Sequence, residues 1–180
     1  GYVDPTRPRS SYPLGKRAAE YACVAYAKEY NVPVTMARLT QTFGAGVAKT
    51  ENRVFAQFAS AAINGTNIVL KSSGKSSKPY SYTTDSASGI LTMLLKGKAG
   101  EAYNVSNDET YISINDMAKL VKDNFNPYIK IIHDYDPNSG YAPDTLLKLS
   151  SAKLQALGWK PKYGLVEMYK RLIDYLKNID

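Results

Sequence analysis

Ser11-Tyr12-Pro13-Leu14-Gly15-Lys16-Arg17-Ala18-Ala19-Glu20 opens the first regular element of this 180-residue chain. Over residues 15–30 the pattern is helical. Ala18, Ala19, Ala22, Cys23, Tyr26 and Tyr30 recur at three-to-four spacing, opposite Lys16, Arg17, Glu20, Lys28 and Glu29. Asn31 and Pro33 stop the helix. Tyr12 and Lys16, four residues apart, share one face, one turn apart. A lysine ammonium beside a phenol stabilises phenolate and draws its pKa from ~10 toward neutrality. A tyrosine so placed serves as general base or acid toward a hydroxyl. With 15 tyrosines and 23 lysines and arginines, a Tyr-x-x-x-Lys spacing also arises by chance. Taken alone, the pair reads equally as a solvated helix face.

Outward from this helix, strands and helices alternate. Residues 34–39 read as a short buried strand and Gly44-Ala45-Gly46 as a turn. A helix is expected over 53–63, closed by Asn64-Gly65. A strand at 67–71, a polar loop at 72–79 and an extended run at 80–83 follow. Asp85 is expected to cap a helix running to about Leu95. Residues 102–105 read as a strand, and Ser113-Ile114-Asn115-Asp116 as the capped start of a helix to Asn124. A strand at 128–132, a loop at 134–143, a short helix capped by Ser150 or Ser151, and a last helix over 165–178 complete the chain. Alternation argues α/β. Four or five short strands are few for a complete doubly wound sheet.

Composition narrows the chemistry. One cysteine, Cys23, excludes an internal disulfide and reads as a buried filler; one histidine, His133, leaves no metal-binding cluster and no metal site is expected. No apolar run reaches the ~18 residues of a membrane span, and Gly1-Tyr2-Val3-Asp4-Pro5 lacks the apolar segment of a signal peptide, so a cytoplasmic protein with no membrane contact is expected. The net charge of +7 suits a phosphate-bearing ligand. The basic residues are dispersed and the tyrosines look structural, so nucleic acid is not an expected partner.

Five ordered segments carry a resemblance. Besides residues 11–20 they are Pro33-Val34-Thr35-Met36-Ala37-Arg38-Leu39-Thr40-Gln41-Thr42-Phe43-Gly44, Lys78-Pro79-Tyr80-Ser81-Tyr82-Thr83-Thr84-Asp85, Gly100-Glu101-Ala102-Tyr103-Asn104-Val105 and Leu157-Gly158-Trp159-Lys160-Pro161. Together they resemble the extended short-chain dehydrogenase/reductases, the NAD-dependent nucleotide-sugar epimerase/dehydratase family. The resemblance implies that Tyr12 is the catalytic acid/base on a sugar hydroxyl, with NAD (or NADP) accepting a hydride. It implies that Lys16 assists Tyr12 and binds the nicotinamide ribose. Gln41 stands near the expected sugar and diphosphate, and Lys78 where the family often has an arginine for the diphosphate. Lysine there keeps the charge and loses the bidentate fork. Arg53 is a further candidate phosphate contact. Tyr103-Asn104 and Trp159-Pro161 read as packing and turn residues. A second diphosphate arginine is often found before the Leu-Gly-Trp segment, and residues 134–151 hold only Lys148.

The family's glycine-rich turn, which seats a pyrophosphate on a helix N-terminus, has no counterpart here. Gly44-Ala45-Gly46 lacks the third glycine, and Gly74-Lys75-Ser76 lacks the first glycine of a Walker loop, Val69 standing in its place. The expectation is therefore the C-terminal part of a Rossmann-like extended fold with its small α/β substrate-binding domain, the N-terminal dinucleotide-binding half being absent. Residues 1–48 would close the Rossmann part, carrying Tyr12 and Lys16. Residues 49–180 would form mainly the nucleotide-sugar-binding domain. Such a chain binds a nucleoside-diphosphate sugar and is inactive alone; its parent epimerises, dehydrates or decarboxylates the sugar. The alternative is a non-catalytic sugar-nucleotide-binding or interaction module. The resemblance also implies a homodimer through the helix at 15–30, while the small Ala18/Ala19/Ala22 face equally suits packing within the chain.

Overall fold

The structure, a computed structural model, describes residues 3–136 and 143–179. Its first helix, α1 (Ser11–Glu29), starts earlier than the apolar periodicity indicates because a 3-10 turn, Pro8–Ser10, feeds directly into it. Pro13 sits in the first turn, where backbone N–H groups have no helical partner to lose.

Two parallel strands follow the line of the motifs. β1 (Met36–Leu39) pairs with β5 (Ala102–Val105), Met36 opposite Ala102 and Leu39 opposite Val105. Across this pair lies α3 (Thr83–Lys96). Gly89 makes the contact close: a Cβ there would stand 2.8 Å from Val105 Cγ1. Met93, Tyr103, Val105, Leu154 and Trp159 form the small core beneath, with Leu154 supplied by the short helix α5 (Ala152–Gln155). Tyr103 and Trp159 are thus packing residues, as expected.

One residue, Thr40, separates β1 from β2 (Gln41–Phe43). β2 runs parallel to β4 (Ser77–Tyr82), which pairs antiparallel with β6 (Asn107–Ser113). A third, two-stranded parallel sheet joins β3 (Ile68–Leu70) to β7 (Ile131–His133). Helices α2 (Val54–Asn64), α4 (Ile114–Phe125) and α6 (Leu165–Asn178) pack together over the larger core, built on Phe43, Phe55, Phe58, Met117, Tyr169 and Leu172. α6 has the bounds its periodicity indicates. Ser113 caps α4 as expected, its hydroxyl accepting from Asp116 N at 3.0 Å.

Several readings are corrected. β6 was not legible, since Asn107-Asp108-Glu109-Thr110 shows no apolar alternation. It forms because the buried Thr110 hydroxyl accepts from Tyr80 N at 2.7 Å and donates to Tyr80 O at 2.8 Å. β4 begins inside the expected polar loop because Ser77 N bonds Thr145 O at 2.8 Å and Ser77 O accepts from Leu147 N at 2.9 Å. Seven strands stand among the described residues where four or five were expected. Ser151 precedes α5 without a capping hydrogen bond; its hydroxyl donates to Asp108 Oδ1 at 2.8 Å. Cys23 is half-buried rather than buried. Part of the loop expected at 134–143 lies outside the described residues.

Asp85 does not cap α3. Tyr82 holds the cap position, and the Asp85 carboxylate is buried, accepting from Lys162 N at 3.0 Å and Tyr163 N at 3.1 Å. The Asp85 carbonyl accepts from Trp159 Nε1 at 3.1 Å. Asp85→Ala leaves two amides without their acceptor and is expected to lower stability by about 3 kcal/mol. Asp85→Asn, which keeps one acceptor oxygen, is expected to lower it less. Urea unfolding of the two variants checks this order.

Candidate active site

Tyr12 and Lys16 stand one turn apart on α1, with Lys16 Nζ 5.6 Å from the Tyr12 ring centroid. Tyr12 is 73% exposed and its hydroxyl has no hydrogen-bond partner among the described residues. α1 buries none of its residues. It is tied to β1 by a fork: Arg38 Nε and Nη2 donate to the two Glu20 carboxylate oxygens at 2.7 and 2.6 Å. That hydrogen bonding holds the Glu20 carboxyl below its ordinary range. Ala18, Ala19 and Ala22 are exposed, so the small face does not pack within the described chain.

The three expected substrate contacts gather around one aromatic cluster. Phe43 stacks on Phe55 with centroids 4.6 Å apart and meets Tyr80 edge-on at 5.8 Å. Arg53 Cζ lies 5.1 Å from the Phe55 centroid and Lys78 Nζ 5.9 Å from that of Tyr80. Gln41 stands in register with Tyr80. Two cations thus stand against rings of one aromatic cluster, with Gln41 paired in register beside it. Burial pushes the Tyr80 phenol up to about 12, so it stays neutral.

The two cations differ. Arg53 donates to Glu51 through its guanidinium and, at 3.0 Å, its backbone N–H, which holds Glu51 down at about 2. Lys78 is partly buried and has no carboxylate partner among the described residues. Desolvation lowers its pKa. No hydrogen bond, ion pair or ring contact among the described residues joins Tyr12 or Lys16 to Gln41, Arg53 or Lys78.

Sequence reasoning missed a cleft of about 1080 Å³ between α2 and β3, whose polar lining includes Lys49, Asn52, Gln57, Asn64 and Lys71. Asn52 and Val54 carry it up to Arg53, but Gln41, Arg53 and Lys78 are not in its lining. The only sequence signal was the polar side of α2. Among the described residues no group of three or more metal-ligating side chains forms, and no helix is long and apolar enough to cross a membrane.

Residues 2–106 match the NAD dependent epimerase/dehydratase family. The chain belongs to that family. It is 31% identical over 178 residues to UDP-glucuronic acid decarboxylase 1 of Danio rerio, covering 97% of this chain and 41% of that protein. It spans about half the length, or less, of the relatives it matches. Among solved structures it is similar to Pal from Bacillus thuringiensis, with a TM-score of 0.81 at 25% identity, over 97% of this chain and 55% of that one. It is also similar to a UDP-glucose 4-epimerase with UDP-glucose from Thermotoga maritima, with a TM-score of 0.81 at 25% identity, over 98% and 58%. The α/β arrangement is that of these Rossmann-like structures.

The family's cofactor is NAD, and the residues present fit one end of it. An exposed phenol and an ammonium one turn apart suit a nicotinamide ribose. A pyrophosphate cradle is not among the described residues: the Gly44 turn leads into a loop, and α2 begins only at Val54.

A depressed folded-state pKa at Lys78 has a definite sign. Between that lowered value and the ordinary 10.5, the unfolded chain binds the proton and the native chain does not. Stability contributed by this group therefore rises with pH across that window. Relative to Lys78→Met, the unsubstituted chain is expected to gain stability as pH rises toward 10.5, read by urea unfolding at several pH values.

Proposed function

We propose that this chain is the C-terminal, substrate-binding portion of an NAD-dependent nucleotide-sugar epimerase, dehydratase or decarboxylase. The observation that carries the reading is the partly buried Lys78, without a carboxylate partner among the described residues, at the same aromatic cluster as Arg53 and Gln41, in a chain of this family. In this reading residues 1–48 belong to the Rossmann part and 49–180 mainly to the sugar-nucleotide domain.

Lys78 and Arg53 bind the diphosphate of a nucleoside-diphosphate sugar, and Gln41 donates or accepts at the sugar end. Arg53 is pre-aimed by Glu51, so less side-chain freedom is lost on binding. Tyr12 removes the proton from the sugar hydroxyl and returns it, and Lys16 supplies the positive charge against which the phenolate forms. NAD, when bound, would supply the hydride acceptor for the oxidation of the sugar carbon. Lys16 also holds the ribose hydroxyls of that cofactor. With one end of the cofactor site, the chain by itself has no turnover. The exposed alanine face of α1 makes a homodimer contact in the assembled enzyme. A cytoplasmic setting belongs to the same proposal, resting on the lone cysteine and the phosphorylated substrate.

The exposure of Tyr12, without a hydrogen-bond partner among the described residues, favours a second reading as a sugar-nucleotide-binding module without chemistry. The two readings part at Tyr12. In a protein that also contains the dinucleotide-binding half, Tyr12→Phe is expected to abolish turnover while leaving sugar-nucleotide affinity in place; unchanged turnover removes Tyr12 from the mechanism. In the 180-residue chain, calorimetry is expected to show UDP or UDP-sugar binding that Lys78→Ala weakens about tenfold, ~1.4 kcal/mol. Micromolar NAD binding by the chain alone overturns the proposal that it is one half of a site.

A further inference from the structure

Tyr12, Lys16 and Glu20 recur every fourth residue and so lie along one stripe of α1. The third member of that stripe is the one that reaches the rest of the fold. Glu20 accepts from Arg38 Nε and Nη2 at 2.7 and 2.6 Å, a contact that closes a loop of 18 residues. Little else fixes the helix. It buries no residue, and among the described residues no helix or strand packs extensively on it apart from the turn Pro8–Ser10. Its covalent link to β1 is the irregular segment 30–35.

Arg38 stands on the strand that leads to Gln41. The two are three residues apart, about 10 Å along an extended chain. Between them Thr40 is buried and held on both sides. Its amide donates to Val105 O at 3.1 Å and its hydroxyl to Pro79 O at 2.5 Å. The path from Arg38 to Gln41 is therefore stiff, and Gln41 is in register with Tyr80 of the aromatic cluster. The fork thus joins the stripe of Tyr12 and Lys16 to the strand that carries a candidate substrate contact. Two parallel hydrogen bonds to a planar guanidinium fix separation and roll together. The pair is exposed, Arg38 by 54% and Glu20 by 35% of their side chains, and so adds little to stability. A contact that specifies geometry more than it stabilises is suited to orientation.

We propose that Glu20 and Arg38 are a positioning pair: their fork sets the distance and roll of the Tyr12–Lys16 stripe relative to Gln41, so that the phenol meets the sugar hydroxyl while Lys78 and Arg53 hold the diphosphate. The inference rests on the reading of Tyr12 as the acid/base. Neither Glu20 nor Arg38 touches the substrate in it. Tyr12 and Lys16 ride on one helix and move together, so loss of the fork leaves the phenol's acidity in place and spoils its aim. Lysine at position 38 keeps the charge but makes a single point contact, about which the helix can turn.

The test has a geometric and a kinetic arm. The first uses the 180-residue chain with Cys23→Ser and spin labels on cysteines introduced by Ala19→Cys in α1 and Glu109→Cys in β6, both exposed positions. One narrow distance between the labels is expected. Arg38→Lys or Glu20→Gln is expected to replace it with a broad distribution while the unfolding midpoint stays within about 2 °C. An unchanged narrow distance overturns the proposal. Broadening matched by a fall in midpoint of several degrees assigns the fork to stability alone and also overturns it. The second arm uses a protein that also contains the dinucleotide-binding half, with UDP-glucuronic acid or UDP-glucose as substrate. Each variant is expected to lower kcat about tenfold, to leave KM for the UDP-sugar within about twofold, and to leave the pH of half-maximal kcat in place. The double variant is expected to fall no further than either single one, because the two residues act as one unit. Unchanged kcat, or two losses that add, overturns the proposal. Full turnover by Tyr12→Phe removes the acid/base reading and the positioning role with it, whereas turnover that needs Tyr12 but not the fork removes the fork alone.

Discussion

A single buried carboxylate ties the parts of this molecule together. Asp85 sits in the first turn of α3, at the end of β4, and receives the backbone N–H groups of Lys162 and Tyr163. A buried charge is tolerated only where such donors meet it. Through them the segment after Trp159 is pinned to α3, and α6 is launched at Leu165 toward the larger core. The next residue along, Ser86, shares hydroxyl bonds with Ser81 at 3.0 Å and Thr42 at 2.9 Å, joining α3 to β4 and β2. The start of α3 is thus the junction of the two cores.

From that junction the candidate site divides into two groups with different mechanics. Arg53 and Lys78 stand against Phe55 and Tyr80, and Gln41 pairs in register with Tyr80, all at a cluster buried to the last few per cent. Tyr12 and Lys16 ride on a helix that buries nothing and is held to β1 by the Glu20–Arg38 fork. An exposed ion pair contributes at most about 1 kcal/mol. Gln41, Arg53 and Lys78 are therefore placed by this chain's own core, while Tyr12 and Lys16 sit on a helix that contributes no buried residue to either core.

Legibility followed the range of the interaction. α6 and the capped start of α4 were readable because helical periodicity and capping act within a few residues. The Tyr12–Lys16 spacing was readable for the same reason. β6 was hidden because its pairing depends on the Thr110 hydroxyl and the Tyr80 backbone, thirty residues away. Asp85 looked like a cap because its long-range donors left no local trace. A second apolar stripe of α3, exposed at Ala87, Ile90, Leu91 and Leu94, was present in the sequence, but its spacing does not say which of two stripes a fold will cover.

The sequence by itself determined the α/β alternation, the helices, the Ser113 cap of α4 and the Gly65 stop of α2, and a phenol and an ammonium one turn apart, since each depends on spacing along one element. The ordered motifs also placed Gln41 and Lys78 as candidates, and the helix start after the Gly44 turn placed Arg53. Only the tertiary structure decided that those three gather at one aromatic cluster and that Lys78 is partly buried with no carboxylate partner among the described residues. Burial and strand pairing are relations between segments far apart in the chain. A spacing rule along one segment contains no term for them.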